Sequence, residues 1–492
     1  MSKHPGTAVL TSVLIPVLLL LSGPAFSDAA VAHAPIIVFN NLTGSDTAAS
    51  GSPADLAPVS AAATCHTNGV NTTVIQWPGN GFLAAGVPTG FTAVLFLQTS
   101  SGRRFSEINT YDANTVTVED SFNIPAASPV NCAVGGTRRT LDGSFQVLAD
   151  GKSLHSGAVL PWRVLFTPTG STYPSSANRS VNNAIEISSV GCARGSVGCS
   201  NRAVLEGTFN GTMFGTPLGN SEWHGLQFIN TNATKTASRA FNQGNTFVII
   251  YDCIFGGSGS SQGFWRAIEG GAAIPDTTLI WMNEIRFSAD AGIVVNGALE
   301  VVMYNYVHDN ANGIGVGFFL SQEGPLLYRN LIVNNTGKGV DYSTAGNIGH
   351  PNLIENTIDG NGSHGVDCGQ WCAYITMINN QITNNGGFGI TCTSGSVGCN
   401  TTREDQSVVK WNNFFNNASG ARNNFLVGEN ETTVDPLYIN RAGKNWCIPD
   451  NPNNRGGPPG PPPAVYRGTQ TQSLILKGAC QPLGGAGANL GI

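Results

Sequence analysis

The sequence predicts an all-β chain, a β-solenoid of stacked coils preceded by a β-rich module. Three observations carry this. Six segments share one pattern of apolar run, Asn, variable residue, apolar residue and polar turn. They read WMNEIRF, MYNYVHD, YRNLIVN, ENTID, NNQIT and NNFFN, with anchors Asn283, Asn305, Asn330, Asn356, Asn380 and Asn413 spaced 22, 25, 26, 24 and 33 apart. Eight or nine residues after five of them comes Gly-Ile or Gly-Val, at Gly292, Gly313, Gly339, Gly365 and Gly389. A period of this length, built from strands too short to fold alone, means coils that bury their core by stacking. The third observation is composition. With 62 Gly and 11% charged residues, against about 25% charged in ordinary domains, the chain suits long β-coils. Aligned anchors are expected to hydrogen-bond up the stack at one corner.

Along the chain, residues 1–34 read as a secretion signal, with Lys3 and His4 ahead of the apolar run Val9–Leu21. That run is short for a membrane span, and no later segment is long and apolar enough for one. The expected location is secreted, periplasmic or cell surface. Residues 35–145 read as a β-rich N-terminal module, with strands in FTAVLFLQTS and NTVTVED and a hairpin around Tyr111–Asn114. Residues 146–445 read as the solenoid. WHGLQFIN and IIYDCIF fit the frame, with His224 and Asp252 where Asn stands later. Residues 446–492 read as a Pro/Gly-rich loop and a closing cap.

Eleven cysteines in an exported chain imply disulfides. Cys192–Cys199 and Cys392–Cys399 close loops of equal length, and Cys368–Cys372 is a tighter pair. An alternative stacks Cys368 on Cys392 and leaves Cys372 with Cys399. Cys447–Cys480 and Cys65–Cys132 are further pairs, leaving Cys253 as an odd core thiol. Ten N-x-S/T sequons, Asn361 and Asn417 among them, come with Asn- and Thr-rich turns. A formal charge of −6 argues against a nucleic-acid partner, which usually meets a basic face.

The N-x-I…GI coils, VDPLY and the terminal GANLGI resemble the right-handed parallel β-helix, or pectin-lyase-like, superfamily. The resemblance covers roughly residues 146–492. TSSGRRF…VTV and GGTRRTLDG are similar to leading segments of secreted bacterial β-helix proteins. The resemblance implies a right-handed parallel β-helix. For activity it implies a range, from polysaccharide lyases and glycoside hydrolases to epimerases, tailspikes and adhesins. The polygalacturonase set N-T-D, D-D, G-H-G and R-I-K is represented only by Ser363-His364-Gly365. The epimerase D-P-H-D signature is absent.

Stacking places equivalent residues of adjacent coils about 4.8 Å apart. Asp341 and Asp367 each follow the repeat Gly by two residues, and Lys338 and His364 each precede it by one. With Val340 and Val366 inward, the two aspartates face out. Such a pair would hold Ca²⁺, the one cofactor suggested, or serve as acid and base, with His364 or Lys338 as proton carrier. The competing reading is a solvated strand face with an incidental charge pair. His308, in His308-Asp309-Asn310, is a second candidate for orienting a sugar hydroxyl. Trp265, Tyr342 and Trp371 are candidate platforms on which sugar rings stack. The sequence thus supports two functions. One is a secreted protein that binds, and as a lyase or hydrolase cleaves, an extracellular polysaccharide. The other is a non-catalytic surface, adhesin or tailspike-like protein.

Overall fold

The computed structural model of the chain describes residues 37–40, 64–78, 94–99, 102–135, 137–138, 162–179, 185–195, 197–215, 221–242, 247–271, 278–297, 300–317, 323–342, 350–369, 375–393, 407–438, 440–442, 446, 455–456 and 465–466. The expected signal segment, Trp371, Cys372, Cys399, Cys447 and Cys480 lie outside them. Among the described residues the one helical piece is a 3-10 turn, Ser260–Gln262.

Each coil contributes one strand to each of three parallel sheets. Sheet 1 includes Thr278–Trp281, Val301–Met303, Glu323–Tyr328, His350–Ile354, Thr376–Ile378 and Val408–Lys410. Sheet 2 includes Glu284–Arg286, Tyr306–His308, Leu331–Val333, Thr357–Asp359, Gln381–Thr383 and Asn413–Phe415. Sheet 3 includes Arg239–Asn242, Arg266–Glu269, Ala291–Val295, Asn312–Val316, Val340–Asp341, Val366–Asp367 and Phe388–Thr391. Period-2 alternation sends one apolar residue per strand inward. Val302, Leu327 and Leu353 stack in sheet 1, Val307, Ile332 and Ile358 in sheet 2, and Ile314, Val340 and Val366 in sheet 3, all fully buried.

The expected ladder stands at the corner between sheets 1 and 2. The side-chain amide of each Asn donates to the Oδ1 of the next: Asn283 to Asn305, Asn305 to Asn330 and Asn330 to Asn356 at 3.0 Å, and Asn356 to Asn380 at 3.1 Å. Each Oδ1 also accepts the backbone N–H of the preceding Asn. The sixth member corrects the sequence reading. Asn380 donates to Asn412, at 2.9 Å, and not to Asn413. The ladder Asn stands two residues before an inward apolar residue, so Asn412 goes with Phe414. Asn413 points out of the core toward Gln381 and the carbonyl of Val434.

The reading of His224 and Asp252 as early anchors is also corrected. His224 ends a sheet 1 strand in register with Tyr251. Cys253 occupies the anchor slot, and its N–H donates to Asn283 Oδ1 at 3.0 Å. Its thiol is buried and unbonded to other cysteines, as expected, and burial pushes its pKa up to about 12.

A second ladder runs up the corner between sheets 2 and 3. Asn310 donates to Asn335, Asn335 to Asn361, Asn361 to Asn385 and Asn385 to Asn417, at 2.8–3.1 Å. The residue before each ladder position takes a left-handed conformation at both corners, including Tyr304, Arg329, Glu355 and Trp411 at the first and Asp309, Asn334 and Asn384 at the second. Such angles are unfavourable for side chains like these. They are held because only this turn aims the next Asn up the stack. Asn361 and Asn417 are therefore buried structural residues rather than open sequons.

The repeat glycines answer a different demand. A Cβ at Gly313, Gly339 or Gly365 would lie 2.5–2.6 Å from an Ile side chain of sheet 2 and 2.4–2.6 Å from the next glycine's carbonyl. Coil-on-coil approach, not positive φ, requires glycine there.

At the N-terminal end, Ile37–Asn40 pairs in parallel with Trp162–Phe166 and with Thr137–Arg138, extending sheet 1. Between these strands the chain forms a closed six-stranded barrel, Thr64–Thr67 to Val130–Gly135, stapled by Cys65–Cys132. The expected hairpin joins Gly102–Tyr111 to Thr115–Phe122, with Asp112 accepting the N–H groups of Asn114 and Thr115. Cys192–Cys199 closes the expected loop. Cys368 and Cys392 are also disulfide-bonded.

At the other end the chain turns back over sheet 2. Asp359, fully buried, accepts from Trp446 Nε1 at 2.8 Å and from Arg441 and Thr383. Tyr438 and Trp446 pack on Tyr306, Leu331 and Val333. VDPLYIN therefore begins a strap along the solenoid.

Candidate functional site

The outer face of sheet 3 brings together four of the residues singled out from sequence. Asp341 and Asp367 are register partners on adjacent coils, and both point out while Val340 and Val366 point in. Lys338 Nζ lies 3.0 Å from Asp341 Oδ1 and 2.7 Å from Asp367 Oδ2. The lysine thus occupies the space between the carboxylates, where a cation was expected to sit. Burial opposes its charge. Hydrogen bonds and attraction from Asp367 and Asp341 outweigh that, so its pKa stands above the ordinary lysine value. It is held as an ammonium, a donor rather than a base. Asp367 Oδ1 accepts the N–H of Gly369 at 3.0 Å.

This arrangement does not fit Ca²⁺. The two carboxylates have an ammonium between them, and among the described residues no group of three His, Cys, Asp or Glu is placed to hold a metal.

His364 follows Lys338 one coil on. Its Nδ1 accepts the N–H of Phe388 at 3.0 Å, which leaves the proton of the neutral ring on Nε2. The ring stacks on Phe388, with centroids 5.9 Å apart.

Two other candidates are corrected. Tyr342 is 2% exposed and part of the core. Alternation along Val340, Asp341, Tyr342 turns it inward, so it offers no face to a sugar. Burial raises the pKa of its hydroxyl, which finds no hydrogen-bond partner among the described residues. His308 is 3% exposed. It bridges Asp309, at 2.7 Å, and Glu284, at 3.2 Å, and stacks on Tyr306 beneath the strap. It is a structural residue of sheet 2.

Trp265 precedes a sheet 3 strand and is half-buried. The guanidinium groups of Arg266 and Arg239 lie over its ring, 3.9 and 4.7 Å from the centroid. Arg266 is paired with Glu269 at 2.6 Å and Asp290 at 2.7 Å, and Arg239 is paired with Glu269. Sequence reading passed over this second charged cluster. Its signal was available, since Arg239 and Arg266 each stand two residues before an inward apolar residue, as Lys338 and His364 do.

Residues 219–402 match the family model of the right handed beta helix region. No curated protein matches the chain in sequence. Among solved structures, the pectate lyase Pel9A is similar at 16% identity and a TM-score of 0.30, over 50% of this chain and 71% of that one. The periplasmic alginate epimerase AlgG is similar at 12% identity and a TM-score of 0.31, over 56% and 77%. The A-module of the Azotobacter vinelandii mannuronan C-5 epimerase AlgE6 shows 12% identity and a TM-score of 0.34, over 60% and 94%. With its three parallel sheets, the chain has a right-handed parallel β-helix fold.

Proposed function

We propose that this protein is exported and binds an extracellular polysaccharide along the outer face of sheet 3. The observation that carries the reading is the Lys338–Asp341–Asp367 group, with His364 beside it. These residues set a donor between acceptors on adjacent coils of a face whose strands repeat along the solenoid axis. A polymer of linked sugars also repeats its hydroxyls along one axis. The carboxylates would accept sugar hydroxyls, and Lys338 and His364 Nε2 would donate. Disulfides at Cys65–Cys132 and Cys192–Cys199 fit an extracytoplasmic location. Among the described residues no helix is long and apolar enough to cross a membrane.

Binding is favoured over cleavage. An elimination base must be free to take a proton, and Lys338 is committed as an ammonium. The same internal pairing favours, as the second reading, a spacer or adhesin in which the group only ties adjacent coils together.

Affinity electrophoresis against a panel of polysaccharides tests this, with parallel assays for new reducing and new unsaturated ends. The binding reading expects retardation that Asp367→Asn weakens without loss of fold. Full retention by both Asp341→Asn and Asp367→Asn makes the patch inert and leaves the spacer reading.

A further inference from the structure

Two rows of outward side chains run the length of the sheet 3 face. One reads Arg239, Arg266, Ala291 and Asn312 in register, and continues to Lys338, whose N–H donates to Asn312 Oδ1 at 2.9 Å. The other reads Asn242, Glu269, Val294, Gly315, Asp341 and Asp367. Ion-pair clusters thus stand at two places on the face, with small uncharged residues between them. A Cβ at Gly315 would lie 3.3 Å from Val294 and 3.8 Å from Ala291, so the floor there is low and closely packed.

Charge decides what such a face accepts. Arg239 and Arg266 are matched by Glu269 and Asp290, and Lys338 faces two aspartates. Across these two clusters three cations, Arg239, Arg266 and Lys338, stand against four carboxylates, Glu269, Asp290, Asp341 and Asp367, so every cation is paired and one carboxylate is in excess. A polyuronate brings a carboxylate on every sugar and needs cations that are not already neutralised. Here it would meet carboxylates instead.

We infer that the sheet 3 face selects an uncharged polysaccharide and rejects polyuronates, its ion pairs serving as hydroxyl acceptors and donors. The inference rests on the reading that this face binds a polysaccharide.

The test is affinity electrophoresis of the full chain in gels containing neutral glucans, galactans and mannans, or polygalacturonate and alginate. A neutral polymer should retard the protein to the same extent at low and high salt. Polyuronates should bind at least about tenfold more weakly, the scale of one or two unit-charge contacts near water. In the Asp341→Asn/Asp367→Asn double variant, the polyuronate-to-neutral affinity ratio should rise by a similar factor. Equal or tighter binding of a polyuronate to the unmodified protein overturns the selectivity and leaves the polysaccharide reading standing. Retardation by no polymer of any charge overturns both.

Discussion

Lys338 Nζ lies 2.7 Å from Asp367 Oδ2 on the next coil while also reaching Asp341 on its own. One ammonium relieves the repulsion that parallel register would otherwise force on two aligned carboxylates. Because the folded-state pKa of Lys338 is raised, its contribution to stability is fully present below the unfolded value of about 10.4. It is lost as pH rises through the folded value. Thermal melts of the protein and of Lys338→Met should differ by a constant amount from pH 6 to 9 and converge at higher pH. In the variant, Asp341 and Asp367 repel with no cation between them. A gap that widens above pH 10 contradicts this account.

Replacing Asn330 with Ala removes a donor from one neighbour and an acceptor from the other. The expected loss is about 1–3 kcal/mol in denaturant unfolding. Asn335→Ala, in the second ladder, should cost a similar amount. A cost confined to the first ladder would show that the second does not bear on stability.

Gly365→Ala would place a methyl 2.6 Å from Ile382 Cγ2 and from the carbonyl of Gly389. Overpacking of this kind costs about 1–3 kcal/mol. Gly315→Ala meets its nearest atom at 3.3 Å and should cost clearly less. Equal melting temperatures for the two variants would remove close coil contact as the reason for glycine.

Tyr342 carries a buried hydroxyl with no hydrogen-bond partner among the described residues. Tyr342→Phe keeps the ring and removes the unmet polar group. Its unfolding free energy should match or exceed that of the parent. A loss above about 1 kcal/mol would mean that the hydroxyl is satisfied in solution.

The repeat was legible because one physical demand, stacking, acts on every coil. It imposes Asn at the first corner, Gly ahead of the sheet 3 apolar residue, and one inward residue per strand. The second ladder was equally regular, since Asn310, Asn335, Asn361 and Asn385 each stand five residues after an anchor. It was passed over because those positions look like ordinary polar turns. NNFFN misled for a local reason. Either Asn fits the motif, and only the left-handed turn at Trp411 selects Asn412. The facing of Asp341 and Asp367 followed from alternation alone. That Lys338 would reach both could not be read, because a flexible side chain's direction is set by the charges it meets. Tyr342 and His308 were misplaced because aromatic and turn residues look alike in sequence whether covered or open. The strap that packs on Tyr306, the ring against which His308 stacks, comes from residues more than a hundred positions later.

The central claim is that a polysaccharide lies along the outer face of sheet 3. Hydrogen–deuterium exchange with and without a polymer that retards the protein tests it most directly. The account predicts protection in 291–295, 312–316, 338–342 and 364–368, with the sheet 2 strands and the barrel unchanged. Protection confined to the barrel at 64–135, or to sheet 2, would contradict it.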